Sequence, residues 1–407
     1  MNYLLIFVFV ISFHLVSAQQ FLLKQFPFHV DSNIVYGTDT NYLGYPENLT
    51  MHLYKPIGDA NLKRPILVYV HGGSWLAGSP NDYYPSKVSE EFVKRGYVVA
   101  NIQYRLGMHT NPLINPGINC PLIAGDAACA YVSDTAEVLR AAYRAMQDAK
   151  AAIRFMKARA VQDSTCPTAV FLSGESAGAF TALGATFLDQ QSERFFSCGT
   201  LANAPAASTA LSFCQSLSNH LPIGQTPNYS RPDLGNVEGI VNLNGYDAKV
   251  KGVAAFYGAV FSEAISKDWV NGADSPAVYL FHQGNDFVVG CGAARPIITL
   301  NQCIPYVNLG FNDCVGYSNI PWAYGSCAIN NYLQSINYPN FRFAFVNNWT
   351  GNTFIDCANT TQAGQGHNID NIALRCDSVA QLFSPIAIAS IQTCSFNSIM
   401  LQNVKKY

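Results

Sequence analysis

The sequence predicts an α/β fold, with a mostly parallel central sheet and helices on both faces. Three observations predict it. Apolar β-type runs alternate with helical ones along the chain, a Gly-x-Ser-x-Gly turn follows one such run, and a His-Gly-Gly turn follows another. The first strand signal is Asn48 to Lys55, which alternates apolar and polar residues as a half-buried strand does. Arg64-Pro65 then opens Ile66-Leu67-Val68-Tyr69-Val70, a continuous apolar run suited to a strand covered on both faces. A helical stretch around Ser86 to Arg95 stops at Gly96, and Tyr97 to Ile102 reads as the next strand. The clearest helix runs from Ser133 to Ala160, with Asp134 and Glu137 spaced as a capping box at its start. Val138, Leu139, Ala142, Met146, Ala149 and Ile153 recur three or four apart and mark its buried face. Thr168 to Leu172, Val250 to Tyr257, Ala277 to Phe281 and Phe341 to Val346 are further strands. No repeat or low-complexity linker divides the chain, so residues 19–407 read as one elaborated α/β domain.

Composition narrows the function classes. Hydrophobic residues make up 49% of the 407 residues, which is incompatible with a disordered chain. Charged residues make up only 12%, and 24 basic against 26 acidic residues leave a net charge of -2. That balance cannot build the positive field that nucleic acid requires. The first eighteen residues read as a signal peptide: an apolar run from Leu4 to Val16 closes on Val16-Ser17-Ala18. The run is too short to cross a membrane as a helix, and the remainder is expected to carry no transmembrane segment and to be secreted. Twelve cysteines follow, with no Cys-x-x-Cys spacing, so disulfides are expected and zinc ligation is not. Sequons at Asn48, Asn228, Asn348 and Asn359 are candidate glycosylation sites.

The chemistry sits where strands end. After Thr168 to Leu172 comes Gly174-Glu175-Ser176-Ala177-Gly178, an arrangement that holds a serine on a sharp strand-to-helix turn. The glycines are needed because a Cβ there would meet neighbouring backbone. After Ile66 to Val70 comes His71-Gly72-Gly73-Ser74-Trp75, a turn able to present N–H groups to a tetrahedral oxyanion.

The two motifs together resemble the α/β-hydrolase-fold carboxylesterases and lipases. Gly96-Tyr97-Val98-Val99, Tyr104-Arg105-Leu106 and the helix with Asp148 to Phe155 are also similar to that family, and the resemblance spans roughly residues 45–375. It implies an α/β-hydrolase fold and a serine hydrolase acting on carboxylic esters without a metal or organic cofactor. It maps the oxyanion donors onto Gly73, Ser74 and Ala177, with Ser74 standing where many members carry glycine.

A serine nucleophile needs a base, and the base needs an orienting carboxylate, in the order Ser, Asp or Glu, His in this fold. His367 lies in the glycine-flanked loop Gly364-Gln365-Gly366-His367-Asn368, downstream of the strand Phe341 to Val346, and this loop resembles the family's histidine loop. His282 lies inside a strand and reads as packed. Asp286, after the strand Ala277 to Phe281, resembles the family's catalytic aspartate; Asp268, Asp274 and Asp313 are the alternatives. Asp148 and Arg154 read as helix packing and surface pairing, and Tyr104 and Arg105 as buttresses. Between Asp286 and His367 lies a Cys-rich insertion, at about 291–340, with Cys291, Cys303, Cys314, Cys327 and Trp322. It is either a stapled surface insertion or a lid over the pocket. The expected function is hydrolysis of a small-molecule or lipid ester. The alternatives are an interfacial lipase with a lid and a non-catalytic, cholinesterase-like adhesion protein.

Overall fold

The computed structural model describes residues 20–109, 134–204, 228–261, 275–284, 286, 288–296, 320–347, 353–355, 362–364 and 366–394. Eight strands form the central sheet: β1 (Phe28–Thr40), β2 (Pro46–Pro56), β3 (Arg64–Val70), β4 (Val98–Ile102), β5 (Thr165–Glu175), β6 (Gly252–Phe256), β7 (Ala277–Gln283) and β8 (Phe341–Val346). Their spatial order is β1-β2-β4-β3-β5-β6-β7-β8. Strand β2 runs against both its neighbours, whereas β4, β3, β5, β6, β7 and β8 pair in parallel. This is the mostly parallel sheet that the alternating runs predict.

Each interior strand feeds two cores, because successive side chains point to opposite faces. On β3, Ile66, Val68 and Val70 join one apolar cluster, and Leu67 and Tyr69 join the other. The first cluster is covered by α2 (Thr135–Ala158) and α3 (Ala177–Phe187), and the second by α1 (Tyr83–Val93) and α5 (Ile372–Gln392). Helix α2 makes half of the expected capping box: the Asp134 side chain accepts the Glu137 N–H, but the Glu137 carboxylate accepts the His109 N–H instead of reaching back to Asp134.

Two elements leave little trace in the sequence. Strand β1 is an edge strand with one residue buried outright, so its apolar pattern is weak. Helix α5 carries Pro385 in its interior, and by length and composition it is apolar enough to cross a membrane. It lays Val379, Ala380, Phe383 and Ala387 on the second core.

Asp148 and Arg154 do not pair at the surface. Both are 1% exposed: the segment 228–250 lies over Arg154, and Arg105 lies against Asp148. Arg154 donates to the Glu238 carboxylate at 2.9 Å and to the carbonyls of Glu238 and Val241, while Lys150 and Lys157 reach Glu238 and Asp247. Asp148 is held by Arg105 at 2.7 Å. The scarce charges of this chain are therefore partly interior clasps.

Disulfides join Cys166 to Cys394, at the start of β5 and just past α5, and Cys291 to Cys327. Cys376 is a thiol, fully buried in the second core, so the disulfide framework does not extend to all twelve cysteines. Cys120, Cys129, Cys214, Cys303, Cys314 and Cys357 lie outside the described residues. Residues 259–261, 293–294 and 323–325 form a small antiparallel sheet beside the first core. Helix α4 (Ser326–Ser335) follows it and buries Ile329 and Leu333 on its way to β8. The expected insertion at 291–340 thus contains the crossover helix, and the segment additional to that crossover ends by residue 325. Its stretch 297–319, on which a lid would depend, lies outside the described residues. The sequon residues Asn48 and Asn228 are exposed, and Asn348 and Asn359 fall outside.

Candidate active site

Strand β5 ends at Glu175 and α3 begins at Ala177, which leaves Ser176 alone on the turn. Its φ of 52° and ψ of -126° form a conformation that costs a non-glycine residue on the order of 1–3 kcal/mol. The surroundings enforce it. The Ser176 N–H donates to Phe256 O at 3.0 Å, and Ser176 O accepts from the Ala179 and Phe180 N–H groups. A Cβ on Gly174 would lie 2.4 Å from Gly178 O, and one on Gly178 only 2.1 Å from Val70 O. The two glycines let the turn press against the end of β3, and the hydroxyl is left half-buried at the C-terminal edge of the sheet.

The second turn lies beside it. Gly73, Ser74 and Trp75 have φ values of 108°, 56° and 59°, three left-handed residues in a row. Gly73 cannot be replaced without movement, because a Cβ would sit 2.2 Å from Ala77 O. Gly73 O accepts from Leu76 and Ala77 N–H, Trp75 Nε1 donates to Thr181 Oγ1 on α3, and Tyr104 Oη donates to His71 O. Among the described residues, the N–H groups of Gly73, Ser74 and Ala177 have no backbone or side-chain acceptor. Free N–H groups beside a half-buried serine are the donors an oxyanion needs.

The candidate carboxylate and imidazole lie just past the end of β7 and in the loop before α5. Asp286 Oδ1 accepts from the Val288 and Val289 N–H groups at 3.0 and 2.9 Å, which fixes the carboxylate. His367 Nδ1 lies 3.0 and 2.9 Å from the two Asp286 oxygens, and its Nε2 lies 2.9 Å from Ser176 Oγ. Gln283, the last residue of β7, donates to Asn368 O at 2.9 Å, and Gly366 packs so close that a Cβ would be 2.3 Å from Gly284 O. The histidine loop is thereby tied to the strand that carries the acid. Tyr257 meets the His367 ring edge-on at 4.6 Å. Burial alone would raise the Asp286 carboxyl, but attraction to His367 and hydrogen bonds from His282 and His367 hold it well below the usual carboxylate range.

All six residues that the sequence singles out therefore converge on one edge of the sheet. Asp268, Asp274 and Asp313 lie outside the described residues. The supporting roles of three residues are not read from the sequence. His282 is buried as expected, but its Nε2 lies 3.3 Å from Asp286 Oδ2 and 2.8 Å from Val289 O, so it props the acid. Ser326 Oγ, 3.0 Å from its Nδ1, completes the prop. Glu175 is 4% exposed, and its Oε1 accepts the Gly72 N–H at 2.9 Å, joining the two turns. Burial pushes its carboxyl up to about 8, against the lowering influence of Tyr69 and the Gly72 N–H. Its signal is available in the sequence: a carboxylate inside the elbow must point beneath the turn while Ser176 points out.

The family described as BD-FAE matches residues 51–118, which hold β3, the His-Gly-Gly turn and β4. No curated protein matches. Among solved structures, the chain is similar to a truncated carbohydrate esterase from gut microbiota, with 14% identity over 91% of this chain and 98% of that one, and a TM-score of 0.44. It is similar to the thermophilic esterase Est2 of Thermogutta terrifontis, with 15% identity over 90% and 94% and a TM-score of 0.43. It is similar to MGS-M1, an α/β hydrolase from a Medee basin deep-sea metagenome, with 13% identity over 81% and 85% and a TM-score of 0.37. Strand order, a single reversed strand at β2 and a serine turn between β5 and α3 make this an α/β-hydrolase fold.

Proposed function

We propose that the chain is a secreted carboxylic ester hydrolase that works through Ser176, His367 and Asp286. The observation that carries this reading is the 2.9 Å contact from His367 Nε2 to Ser176 Oγ, made while Asp286 engages Nδ1. An ionised carboxylate only accepts, so the imidazole proton sits on Nδ1 and Nε2 is left to accept from the serine. Ser176 Oγ attacks the ester carbonyl as its proton passes to Nε2. The carbonyl oxygen becomes an oxyanion, held by the N–H groups of Gly73, Ser74 and Ala177. When the tetrahedral species collapses, the ester C–O bond breaks and the proton on Nε2 leaves with the alcohol. Water, deprotonated by His367, then attacks the acyl-enzyme; the acid departs and Ser176 regains its proton. Asp286 holds the tautomer and stabilises the imidazolium, and neither a metal nor a cofactor enters these steps.

Secretion is supported by the signal-like run and by two disulfides, which persist in oxidising compartments. The substrate is a small-molecule or lipid ester, and a panel of short, long and aromatic acyl esters defines it. The purified protein should label with a fluorophosphonate and hydrolyse activated short-chain esters. Ser176→Ala should remove both, since losing a triad serine costs on the order of 10⁶ in kcat. If the alanine variant retained more than about a hundredth of the activity, Ser176 would not be the nucleophile. A folded wild-type protein that neither labels nor hydrolyses would favour the adhesion reading.

A further inference from the structure

A cavity of about 320 Å³ opens between the end of β1, the N-terminal half of α2 and the segment around Arg231 to Gly235; Ser176 and His367 are not in its wall. Its size is within the usual range of small-molecule sites. Four arginines line it, Arg105, Arg140, Arg144 and Arg231, and they are not equally compensated. Arg105 pairs with Asp148 and Asp39 at 2.7 and 2.8 Å. Arg231 pairs with Asp134 at 2.5 Å and Glu137 at 3.5 Å. Arg140 and Arg144 have no carboxylate within ion-pair distance among the described residues. Arg140 donates to the carbonyls of Ser197, Gly199 and Pro232. Arg144 donates to Gly107 O at 2.8 Å, is 2% exposed, and its Nε has no partner.

These two lie one helical turn apart on α2, where like charges repel. Burial, with Arg105 and Arg140 nearby, pushes Arg144 down to about 10, so it stays charged at neutral pH. Glu137 offsets part of this by attraction, but its carboxylate is shared with other partners. Glu137 accepts the His109 N–H, and burial raises its carboxyl, while Asp233 is taken by Arg194 at 2.5 Å. A buried guanidinium with an idle N–H and no carboxylate at ion-pair distance is costly unless an anion completes it.

We propose that this cavity binds a small oxyanion, a molecule bearing a carboxylate or a phosphate group, with Arg144 as its principal partner and Arg140 beside it. The planar fork of an arginine suits either group. The site is close to the oxyanion loop, because Gly107 also donates its N–H to Trp75 O at 2.7 Å. Activity is therefore a poor readout, and binding is the better one. Thermal unfolding of the full chain is followed while acetate, malonate, citrate and inorganic phosphate are each raised to about 50 mM at constant ionic strength set with NaCl. A saturable rise in Tm is expected for at least one of them, and the carboxylates against phosphate tell which group is preferred. In Arg144→Gln the apparent Kd should be at least about tenfold weaker, and Arg144→Lys, which keeps the charge and loses the fork, should weaken it as well. If the wild-type Tm responds to none of the four beyond NaCl, the proposal is wrong, whatever the variants do. It is equally wrong if the variants respond with wild-type affinity.

Discussion

Glu175→Gln tests whether the carboxyl beneath the elbow is held protonated. Burial moves this group from 4.5 to about 8 in the folded chain. A gap of about 3.5 units at about 1.4 kcal/mol each amounts to about 5 kcal/mol of pH-dependent stability. The sign follows from proton counting. Between these two values the folded state keeps a proton that the unfolded chain has released, so stability falls as pH rises. The contribution is whole below about pH 4.5 and gone above about pH 8. Glutamine cannot titrate, and its carbonyl oxygen can still accept the Gly72 N–H. Urea unfolding without reductant, repeated across this window, should show wild type losing about 1.4 kcal/mol per pH unit relative to the variant. Asp286 has the opposite sign, because its carboxyl is depressed and its contribution is lost only as pH falls below the carboxylate range, so it does not mask the slope. If the two stability curves ran parallel through the window, Glu175 would be ionised in the folded chain and the reasoning would fail.

The remaining predictions concern the site and the thiols. Asp286→Asn should keep the fold and lower kcat by about 10⁴, because the amide no longer enforces the Nδ1 tautomer; a loss under tenfold would make the aspartate dispensable. Gly73→Ala must move the loop away from Ala77 O, and a fall in kcat of about 10²–10³ is expected beside a smaller loss of stability, on the order of 1–2 kcal/mol. Equal losses in stability and rate would show that the turn serves folding instead. Cys376 should resist alkylation in the folded protein and take one label once urea unfolds it without reductant, and peptide mapping should recover the 166–394 and 291–327 bridges.

What the sequence reveals, and what it hides, follows from the range of the interactions involved. Strands β3 to β7 are legible because both faces are buried, and burial writes itself into consecutive apolar residues, whereas β8, at the sheet edge with no residue buried outright, is legible from its Phe-rich run alone. Strand β1 is not, since one polar edge strand can carry almost any residue on its exposed positions. The turns at Gly73 and Ser176 are legible for a different reason: left-handed backbone and sub-van-der-Waals approach admit few residue types, so strain leaves a mark in glycine. The histidine loop shows the same logic at Gly366.

Residues that act through partners far along the chain leave no such mark. His282 looks like any strand histidine until Val289, Asp286 and Ser326 are brought around it. Arg144 looks like one charge on the outer face of a long helix, and nothing local says that Tyr42, Gly107 and Arg231 will close over it. A helix with that many basic residues reads as a solvated face, yet here the segment 228–250 covers it and converts charges into clasps. The distinction has a consequence for the two sites. The serine site is held by close backbone contacts that a side chain at Gly73, Gly174 or Gly178 would push apart, so its geometry is fixed before substrate arrives. The arginine cavity is held by side chains whose charges are only partly balanced. Pairing satisfies Arg105 and Arg231, and carbonyls satisfy Arg140, but Arg144 keeps an idle N–H. A cavity whose wall carries that imbalance is more stable filled by an anion than unfilled, and the strength of that preference is what its response to added oxyanions measures.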